Sequence, residues 1–475
     1  MFLKFRNILA LVLVLFAFST CVEQSRSASV WNNGRFQTPV RDLETIQTEG
    51  KLRVVVDYNF TNYFVYRGKP MGFKYEMLRK LAQDLQVKLE FTVSNDMEET
   101  ITGLETGRFD LAAKNLTVTP ERETRVDFTR PIFQTRQVLV QRNQLAFSKK
   151  RDGFVKDVYG LDGKSLVLQK NTVFIGHLRK MELETGIQVS KIEESTAGME
   201  QLVSMVSSGE IDYTVCDEYV AKLYAKRFSN LDISVVLSDP QDIAWAVREN
   251  ASHFRDYLNQ WLNDYTASES FGKLQDKYYH SARSVNRVRS DYHSSGQGRI
   301  SPFDDIIKTE AAARNWDWRL ISAIVFQESQ FDPMAMSWAG AGGLMQLMPE
   351  TATAFGVNDI NDPEENIRAG IRLLSWLDSQ LKGEIQDPNE RLKFVLASYN
   401  VGLGHVKDAQ RLAGKYGKDP FRWRNNVDEF LLKKSQTAFY NDPVVKWGYA
   451  RGIEPYEFVN IVLNNYGHYK NVIPE

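Results

Sequence analysis

The chain has 475 residues, which is enough for two or three domains that each bury a core of their own. Its composition, with 43% hydrophobic and 25% charged residues, is that of an ordinary globular protein without low-complexity bias. The formal net charge of -1 provides no basic field for nucleic acid, and two cysteines without metal-ligand spacing indicate neither a disulfide framework nor a metal site.

The N-terminus has the pattern of a secretory signal. Lys4 and Arg6 precede the apolar run Ile8–Phe18, which is too short to span a bilayer comfortably. Cys21 stands where a bacterial lipobox has its lipid-modified cysteine, although the residues before it depart from the usual ones. We therefore predict a signal peptide over residues 1–21 and lipidation of Cys21, which would hold the exported chain on a membrane. The alternative is an uncleaved membrane anchor.

The rest of the chain divides into an α/β part and a helical part. Residues 22–48 are polar and irregular, which predicts a tether. In residues 49–280, short β-rich runs such as Leu52–Val56 alternate with amphipathic helical runs, which predicts an α/β domain with a largely parallel sheet. The Ser/Arg/Gly-rich residues 281–299 predict a linker, and residues 300–475 predict a compact all-α domain.

Several stretches of the α/β part resemble family 3 solute-binding proteins, the type that binds polar amino acids. These stretches are Gly68–Phe73 with Leu81 and Ala82, Leu104–Leu111, Leu116–Glu123, and Val126–Thr129 with Pro131. The resemblance implies a periplasmic-binding-protein-like fold of two α/β lobes joined by crossing strands. Lobe one is expected at about 50–139 with the return after Gln241, and lobe two at about 141–237.

The same resemblance implies a small ligand between the lobes, such as an amino acid or a cell-wall peptide. Arg122 occupies the position of the arginine that clamps a ligand carboxylate, and Thr117 that of a nearby hydroxyl. Thr172 matches a helix start in lobe two, where backbone N–H groups favour anions. Asp217 matches the acid that pairs with a ligand amine, and Tyr63 is expected to wall the pocket.

Ordinary structural roles also fit these residues. Arg122 would form a surface salt bridge with a neighbouring glutamate, which is common. Asp217 would cap the helix-like run that follows it. Tyr58 and Phe64 share the expected wall position with Tyr63.

Glu328 is the first candidate catalytic residue of the helical part. It ends a run that starts at Trp318, and Leu320 and Ile324 precede it at spacings of four residues, so its carboxylate falls on the apolar face of its own helix. Such a carboxylate is expected to be desolvated and to have a raised pKa, which suits a general acid near neutral pH. The alternative is a glutamate at the end of a buried stripe that reaches solvent or a structural partner.

Glycine-rich and amide-rich segments follow this candidate acid. Ser337 offers a hydroxyl to the carboxylate or to a sugar, and Gln346 offers an amide. Between them, Gly340–Gly343 holds three glycines, which suit a sharp turn or a close approach to a ligand. Tyr399 and Asn400 repeat the combination of aromatic ring, amide and following glycines. Each feature alone also fits a turn between helices or a helix C-cap with a buried tyrosine.

Together these segments resemble the Slt-type lytic murein transglycosylase domain, which is related to goose-type lysozyme. The matching residues are Glu328–Pro333, Ala335, Ser337, Gly340–Pro349, Thr351, Ala352, Asn366, Ile367, Ala369, Gly370, Ala397, Tyr399, Asn400, Gly402 and Gly404. A weaker match over Glu454–Val459 contains Tyr456, at the place of a second tyrosine that faces the site in that family.

The resemblance implies cleavage of peptidoglycan between MurNAc and GlcNAc with one carboxylate, whereas ordinary glycosidases use two. Glu328 would protonate the glycosidic oxygen while the substrate's N-acetyl group stabilises the oxocarbenium ion. As a carboxylate it would then take the proton of the MurNAc C6 hydroxyl, which attacks C1 and gives a 1,6-anhydro product without water. Ser337, Gln346, Tyr399 and Asn400 would position the sugar, and neither metal nor cofactor is expected.

A binding-protein-like lobe pair ahead of an Slt domain resembles the membrane-bound lytic murein transglycosylase F family. This resemblance implies that ligand binding regulates the enzyme and that the chain works at the periplasmic face of the envelope, attached to the outer membrane. Three alternatives stay open. They are a non-catalytic receptor that grips solute or glycan, a hydrolytic muramidase, and a membrane-anchored transport receptor.

Overall fold

The computed structural model describes residues 31–32, 35–36, 41–59, 62–94, 96–147, 153–170, 172–194, 198–280, 290, 292–294 and 298–473. Over these residues, an α/β part of two lobes is followed by a helical part. No helix within the described ranges combines the length and the apolar character that a bilayer span requires. Cys21 lies outside these ranges, and its lipidation stays a prediction.

The α/β part contains short strands that alternate with helices. Its elements are β1 Trp31–Asn32, β2 Arg35–Phe36, α1 Leu43–Glu49, β3 Lys51–Val56, β4 Phe64–Tyr66, β5 Lys69–Met71, α2 Phe73–Asp84, β6 Lys88–Val93, α3 Met97–Glu105, β7 Leu111–Thr117, α4 Pro120–Glu123, β8 Val126–Phe128, β9 Phe133–Thr135, β10 Gln137–Arg142, β11 Ser165–Gln169, α5 Phe174–Thr185, β12 Ser190–Glu194, α6 Met199–Ser208, β13 Tyr213–Asp217, α7 Glu218–Arg227, β14 Leu231–Asp232, β15 Gln241–Arg248, α8 Ser252–Thr266 and α9 Glu269–Gln275.

Lobe one is built on a six-stranded sheet in the order β6-β3-β7-β15-β8, and β9 also pairs with β15. Strand β3 is parallel to β6 and β7, as expected from the alternation of strands and helices. Strand β15 instead runs antiparallel to β7, β8 and β9, because the chain re-enters lobe one there on its way back from lobe two. The sheet is therefore mixed, and the expectation of a largely parallel sheet is corrected.

Lobe two has smaller sheets and cores of its own. One sheet has the order β13-β10-β14, and β11 pairs in parallel with β12. Strand β10 carries the chain into this lobe and β15 carries it back, so the two crossings lie close to the expected boundaries. Leu166, Leu168 and Val215 are fully buried in one core of the lobe, and Val140 and Val206 in another.

The expectation of a tether over residues 22–48 is wrong at its C-terminal end. Arg41 donates from Nε to Oδ1 of Asp110 at 2.6 Å, with both side chains buried. Helix α1 follows, and its Ile46 is fully buried in the core of lobe one. Asp42 begins α1 and also accepts a hydrogen bond from the backbone N–H of Phe254 at 2.7 Å. The folded domain therefore already includes residue 41.

Part of the predicted linker over residues 281–299 also packs on lobe one. The ring of His293 is fully buried and stacks on Phe64 with centroids 4.1 Å apart. Ser294 accepts a hydrogen bond at Oγ from the backbone N–H of Val65 at 2.8 Å. These residues fix the chain against the sheet before the helical part begins.

The helical part has the expected all-α architecture. Its helices are α10 Asp304–Ala312, α11 Trp318–Ser329, α12 Pro349–Ala354, α13 Pro363–Lys382, α14 Pro388–Val401, α15 Leu403–Lys415, α16 Asp428–Lys433, α17 Thr437–Tyr440 and α18 Ile453–Val472. The last helix, α18, packs against both α11 and α14, so it lies beside the two helices that carry Glu328 and Tyr399.

The two parts share a continuous core through α18. The hydroxyl of Tyr63 lies 2.5 Å from Nδ1 of His468, and the hydroxyl of Tyr469 donates to the carbonyl of Gly68 at 2.6 Å. Gly68 has a φ of 77°, and a Cβ there would lie 2.6 Å from the rings of Phe326 and Phe331. Lobe one therefore approaches α11 and α18 so closely that only glycine fits at this point.

Candidate functional site

Helix α11 positions Glu328 one residue before its C-terminus. Asp317 begins the helix by accepting from the N–H of Arg319 at 2.9 Å, and Gln330 ends it in a left-handed conformation with φ 53°. The aliphatic residues Leu320 and Ile324 are buried on the helix face that leads to Glu328, as the spacing predicted. The carboxyl is thus fixed by a capped and buried helix rather than by a loop.

Glu328 is desolvated, and no charged group shifts its pKa. Its side chain is half-buried, and no side chain in the described part of the structure forms a salt bridge or a hydrogen bond with it. Burial alone raises its pKa to about 8. A carboxyl with this pKa is protonated in a large fraction of molecules at neutral pH, so it can donate a proton and afterwards accept one.

A buried asparagine holds the glycine-rich loop in front of Glu328. Oδ1 of Asn366 accepts from the N–H of Met345 at 2.7 Å, and its Nδ2 donates to the carbonyls of Gly342 and Ile360 at 3.1 and 2.9 Å. Ser329 ties the end of α11 to the same loop by donating from Oγ to the carbonyl of Leu344 at 2.8 Å. The loop therefore has a fixed position relative to the carboxyl.

Two glycines are required for this arrangement. Gly343 has a φ of 77°, and a Cβ there would lie 2.2 Å from Nδ2 of Asn366. A Cβ on Gly370 of α13 would lie 2.3 Å from the sulfur of Met345. Any side chain at either position would displace the loop from the helix that supports it.

Ser337 and Gln346 belong to this loop and shape it. Ser337 accepts at Oγ from the N–H of Ala341 at 3.0 Å, which closes a tight turn. Gln346 has a φ of 46° and donates from Nε2 to the carbonyls of Ala335 and Gly343, both at 2.9 Å. Both side chains are half-buried and therefore reach solvent. The amide oxygen of Gln346 has no partner among the described residues.

Tyr399 lies next to Glu328. Its hydroxyl donates to the carbonyl of Met345 at 2.6 Å, and its ring stacks on Phe458 of α18 with centroids 6.3 Å apart. Burial, and then the charge of the nearby Glu328, hold the pKa of Tyr399 well above its usual range. The phenol therefore stays protonated and keeps the loop attached to α14.

Asn400 and Tyr456 are placed less tightly. Asn400 follows Tyr399 on α14 and is exposed. Tyr456 is half-buried in the first turn of α18, two residues before Phe458, so the two rings leave the helix in different directions. Among the ring pairs of the described residues, Tyr399 stacks on Phe458. The role of Tyr456 stays a prediction.

Away from Glu328, a cleft of about 350 Å³ opens between the two lobes. Its lining includes Thr117 and Arg122 from lobe one and Thr172 and Asp217 from lobe two. Arg122 is half-buried and donates to the carbonyl of Thr117 at 2.9 Å, whereas no salt bridge links it to a neighbouring glutamate within the described chain. Its guanidinium is therefore directed into the cleft and not to a surface pair.

Two carboxyl groups also line this cleft, that of Asp217 from lobe two and that of Asp57 from lobe one. Asp217 precedes α7, but its side chain makes no capping hydrogen bond, so the capping role considered from the sequence does not apply. Burial, and then the charge of Asp57, raise the pKa of Asp217 to about 7. One oxygen of Asp57 is buried without a hydrogen-bond partner among the residues described. Both carboxyls would be better satisfied by a ligand amine.

The expectation for Tyr63 is wrong. Its side chain is fully buried against His468 of α18 and does not line the cleft. Phe64 is likewise buried against His293, whereas Tyr58 does line the cleft. The reason is that Tyr63, which lies just before β4, packs against α18 of the helical part, a contact between residues far apart in the sequence.

Sequence reasoning missed several polar residues of the cleft. Lys114 is buried, donates to the hydroxyl of Thr100, and has its pKa lowered to about 8 by burial. Asn115 donates to the hydroxyl of Tyr219 across the lobes. The signal was present in strand β7, where a Lys-Asn pair interrupts an otherwise apolar run. A buried polar pair in such a strand indicates a site.

The sequence matches two known families in the expected order. Residues 52–281 match bacterial extracellular solute-binding proteins, family 3, and residues 305–421 match the transglycosylase SLT domain. Solved structures similar to the N-terminal half include a mutant of ArgBP from T. maritima, which is 23% identical with a TM-score of 0.43 and covers 50% of this chain and 99% of that one. Another is an ancestral arginine-binding protein bound to arginine, 25% identical with a TM-score of 0.41, covering 49% of this chain and 99% of that one.

Full-length relatives carry the same two parts. A membrane-bound lytic murein transglycosylase F from Desulfosudis oleivorans is 32% identical to this chain. The aligned region covers 91% of this chain and 92% of that relative. A protein of the same name from Aeromonas salmonicida is 32% identical over 91% of this chain and 84% of its own length. A third, from Pseudomonas fluorescens, is 30% identical over 89% of this chain and 85% of its own.

Proposed function

The chain belongs to the membrane-bound lytic murein transglycosylase F family, and on that premise we propose that it cuts peptidoglycan glycan strands with Glu328 alone as acid and then base. It is an enzyme of the lytic transglycosylase class, a lyase that acts on peptidoglycan. The product of the proposed reaction is a 1,6-anhydro-MurNAc end.

The observation that carries the proposal is the desolvated carboxyl of Glu328, whose pKa is raised to about 8 with no charged partner. A protonated carboxyl can donate to the glycosidic oxygen between MurNAc and GlcNAc. Once ionised, it lies in an apolar site that disfavours its charge, so it readily takes the proton of the MurNAc C6 hydroxyl. That oxygen attacks C1, and no water enters the products.

The residues around Glu328 support substrate binding in this proposal. The amide oxygen of Gln346 accepts from a sugar hydroxyl or from the N-acetyl N–H, and the exposed amide of Asn400 contacts the same strand. Ser337 adds a hydroxyl at the edge of the loop. Tyr399 acts mainly through position, because its hydroxyl already donates to the loop.

The cleft between the lobes is proposed to bind a regulatory ligand with both a carboxylate and an amine. Arg122 would bind the carboxylate, helped by Thr117 and by Thr172 at the entry to α5, and Asp217 with Asp57 would bind the amine. A ligand that binds one arrangement of the two lobes more tightly than another increases the population of the arrangement that it prefers. A ligand with equal affinity for both arrangements would change neither population. An amino acid or a small cell-wall peptide has this chemistry.

Relatives of this name indicate that the enzyme works in the cell envelope or periplasm. We propose attachment to the outer membrane through lipid on Cys21, which mass spectrometry of the protein isolated from membranes would test. An unmodified Cys21 in a mature chain would contradict this attachment.

Digestion of purified sacculi tests the enzyme proposal. The exported chain and its Glu328→Gln variant would be incubated with sacculi, and soluble products identified by mass spectrometry. We expect 1,6-anhydro-MurNAc ends that are absent from the variant digest. Reducing ends would instead indicate a hydrolytic muramidase, and equal release by both proteins would exclude Glu328 as the acid.

A further inference from the structure

A cavity of about 660 Å³ lies between lobe one and the helical part, separate from the cleft between the lobes. Helix α2 and strand β6 form one wall, and the C-terminal end of α11 with the second half of α18 forms the other. Its volume is in the range of sites for small organic ligands. None of the residues assigned above to the glycan or to the regulatory ligand lines it.

The cavity carries positive charge without compensation. Lys69 and Arg79 line its lobe-one side, and neither forms a salt bridge within the described residues. The guanidinium of Arg79 lies 5.9 Å from the centre of the Tyr75 ring, which restricts its orientation. None of the described residues that line the cavity is acidic. A carboxylate of a ligand would be the missing partner.

The opposite wall presents amides. Asn465 of α18 is only 6% exposed, yet its side chain makes no hydrogen bond to any residue that the structure describes, and it lines the cavity. Its amide therefore faces the cavity, where a ligand with hydrogen-bonding groups can pair with it. Gln327 and Gln330 from the end of α11 add further donors and acceptors.

We propose that this cavity binds a short acidic peptide that bridges lobe one and the catalytic helix. Its carboxylate pairs with Arg79 and Lys69, and its backbone amides pair with Asn465 and the glutamines of α11. The rings of Phe91 and Phe326 supply an apolar surface for its side chains. Peptide groups match amide side chains because both carry one donor and one acceptor.

Occupation of the cavity would favour the contact between the two parts of the chain. Gln327 and Gln330 flank Glu328 on α11, so a bound peptide touches the helix that holds the catalytic carboxyl. A ligand that binds only the docked arrangement stabilises it in proportion to its concentration over its Kd. The binding itself does not depend on the proposed enzymatic activity.

Calorimetric titration of the exported chain tests the site. Because the cleft between the lobes is also expected to bind carboxylates, every protein in the series carries Arg122→Gln. The probes are N-acetyl-alanyl-glutamate and the uncharged N-acetyl-alanyl-glutamine amide. We expect the acidic peptide to bind and the uncharged one to bind at least about tenfold more weakly, since charged hydrogen bonds are the stronger ones.

Added substitutions locate the binding. Arg79→Gln should lower the affinity for the acidic peptide about five- to tenfold. Asn465→Asp should lower this affinity further, because it places a negative charge at the site. Lys80→Gln is the matched control, because Lys80 lies on the same helix, is exposed and does not line the cavity. No binding in the Arg122→Gln background, or an affinity that Arg79→Gln leaves unchanged, would overturn the proposal. Because Arg79 is exposed, its variant is expected to fold.

Discussion

The surroundings of Glu328 and the cleft between the lobes contain ionisable groups of opposite kinds. The pKa of Glu328 is raised by burial, with no charged neighbour as a cause. The cleft between the lobes brings Arg122 and Asp57 of lobe one into one space with Asp217 of lobe two. The first environment favours proton transfer, and the second favours recognition of a zwitterion.

This difference matches the separation of catalysis and ligand recognition that we propose. A lone desolvated carboxyl changes its protonation state easily, which a proton donor and acceptor requires. In the cleft between the lobes, one cationic side chain and two carboxyl groups surround a common space, which suits a ligand that carries both charges. Substitutions in the two clefts should therefore have different signatures.

Glu328→Gln should have the largest effect. Turnover of sacculi should fall by about 10³-fold or more, because the amide keeps the shape of the side chain but can neither donate nor accept the proton. Glycan binding and ligand affinity at the lobe cleft should remain. The rate at which soluble products are released from sacculi measures the turnover. Glu457→Gln, at an exposed position on α18, is the control. Substantial turnover in the variant would show that another group supplies the proton.

Asn366→Ala should destabilise the helical part by about 2–4 kcal/mol, because two buried backbone groups and one half-buried carbonyl lose their partner. Activity should fall with it, since the loop in front of Glu328 loses its position. Thermal unfolding and sacculus digestion measure both effects. Asn389→Ala, at an exposed position in α14, should change stability by less than about 0.5 kcal/mol. Equal effects of the two substitutions would remove the role assigned to Asn366.

Arg122→Gln should weaken ligand binding in the lobe cleft about 10- to 100-fold, because the carboxylate loses a charged partner. Calorimetry with a panel of amino acids and dipeptides measures the affinity, and Arg130→Gln is an exposed control on the same lobe. If both variants bind alike, the cleft does not recognise its ligand through Arg122.

Glu328→Gln should also stabilise the protein, increasingly so as pH rises. Since the pKa of Glu328 is raised from 4.5 to about 8, folding favours its protonated form, and this contribution is lost as pH rises from 4.5 through 8. The variant has no such loss, so near pH 8 it should be more stable by about 1–2 kcal/mol after allowance for partial exposure. Urea unfolding at pH 5 and pH 8 measures this. If the difference in the free energy of unfolding between the variant and the unchanged protein does not grow with pH, the carboxyl of Glu328 is not desolvated.

Tyr399→Phe should have the smallest effect. It removes one hydrogen bond to the carbonyl of Met345 and leaves that acceptor unpaired, which costs about 1 kcal/mol. Activity should fall roughly fivefold through the loop position, and the stacking on Phe458 should be kept. A loss as large as that of Glu328→Gln would mean that the phenol takes part in proton transfer.

The sequence allowed the fold class to be predicted, and also the position of Glu328 on the buried face of its helix. The spacing of Leu320, Ile324 and Glu328 is local to one helix, and helical periodicity fixes which face a residue occupies. The alternation of strands and helices likewise indicated the two-lobed α/β part, although the antiparallel return of β15 depends on the crossing between lobes. Local patterns were therefore sufficient for local geometry.

Contacts between distant segments could not be predicted in this way. Tyr63 was expected in the ligand pocket, but His468, about four hundred residues later, covers it. The role of Asn366 as the support of the glycine loop depends on the approach of α13 to residues 342–345. Neither of these long-range contacts produces a periodic pattern of residues in the sequence.

One measurement tests the single-carboxylate account most directly. Sacculi would be digested by the exported chain in water enriched with heavy oxygen, and the new glycan ends analysed by mass spectrometry. Because the attacking oxygen is the substrate's own C6 hydroxyl, we predict anhydro ends without heavy oxygen. New ends that carry heavy oxygen at C1 would mean that water attacks, and the account of Glu328 as the only acid and base would be contradicted.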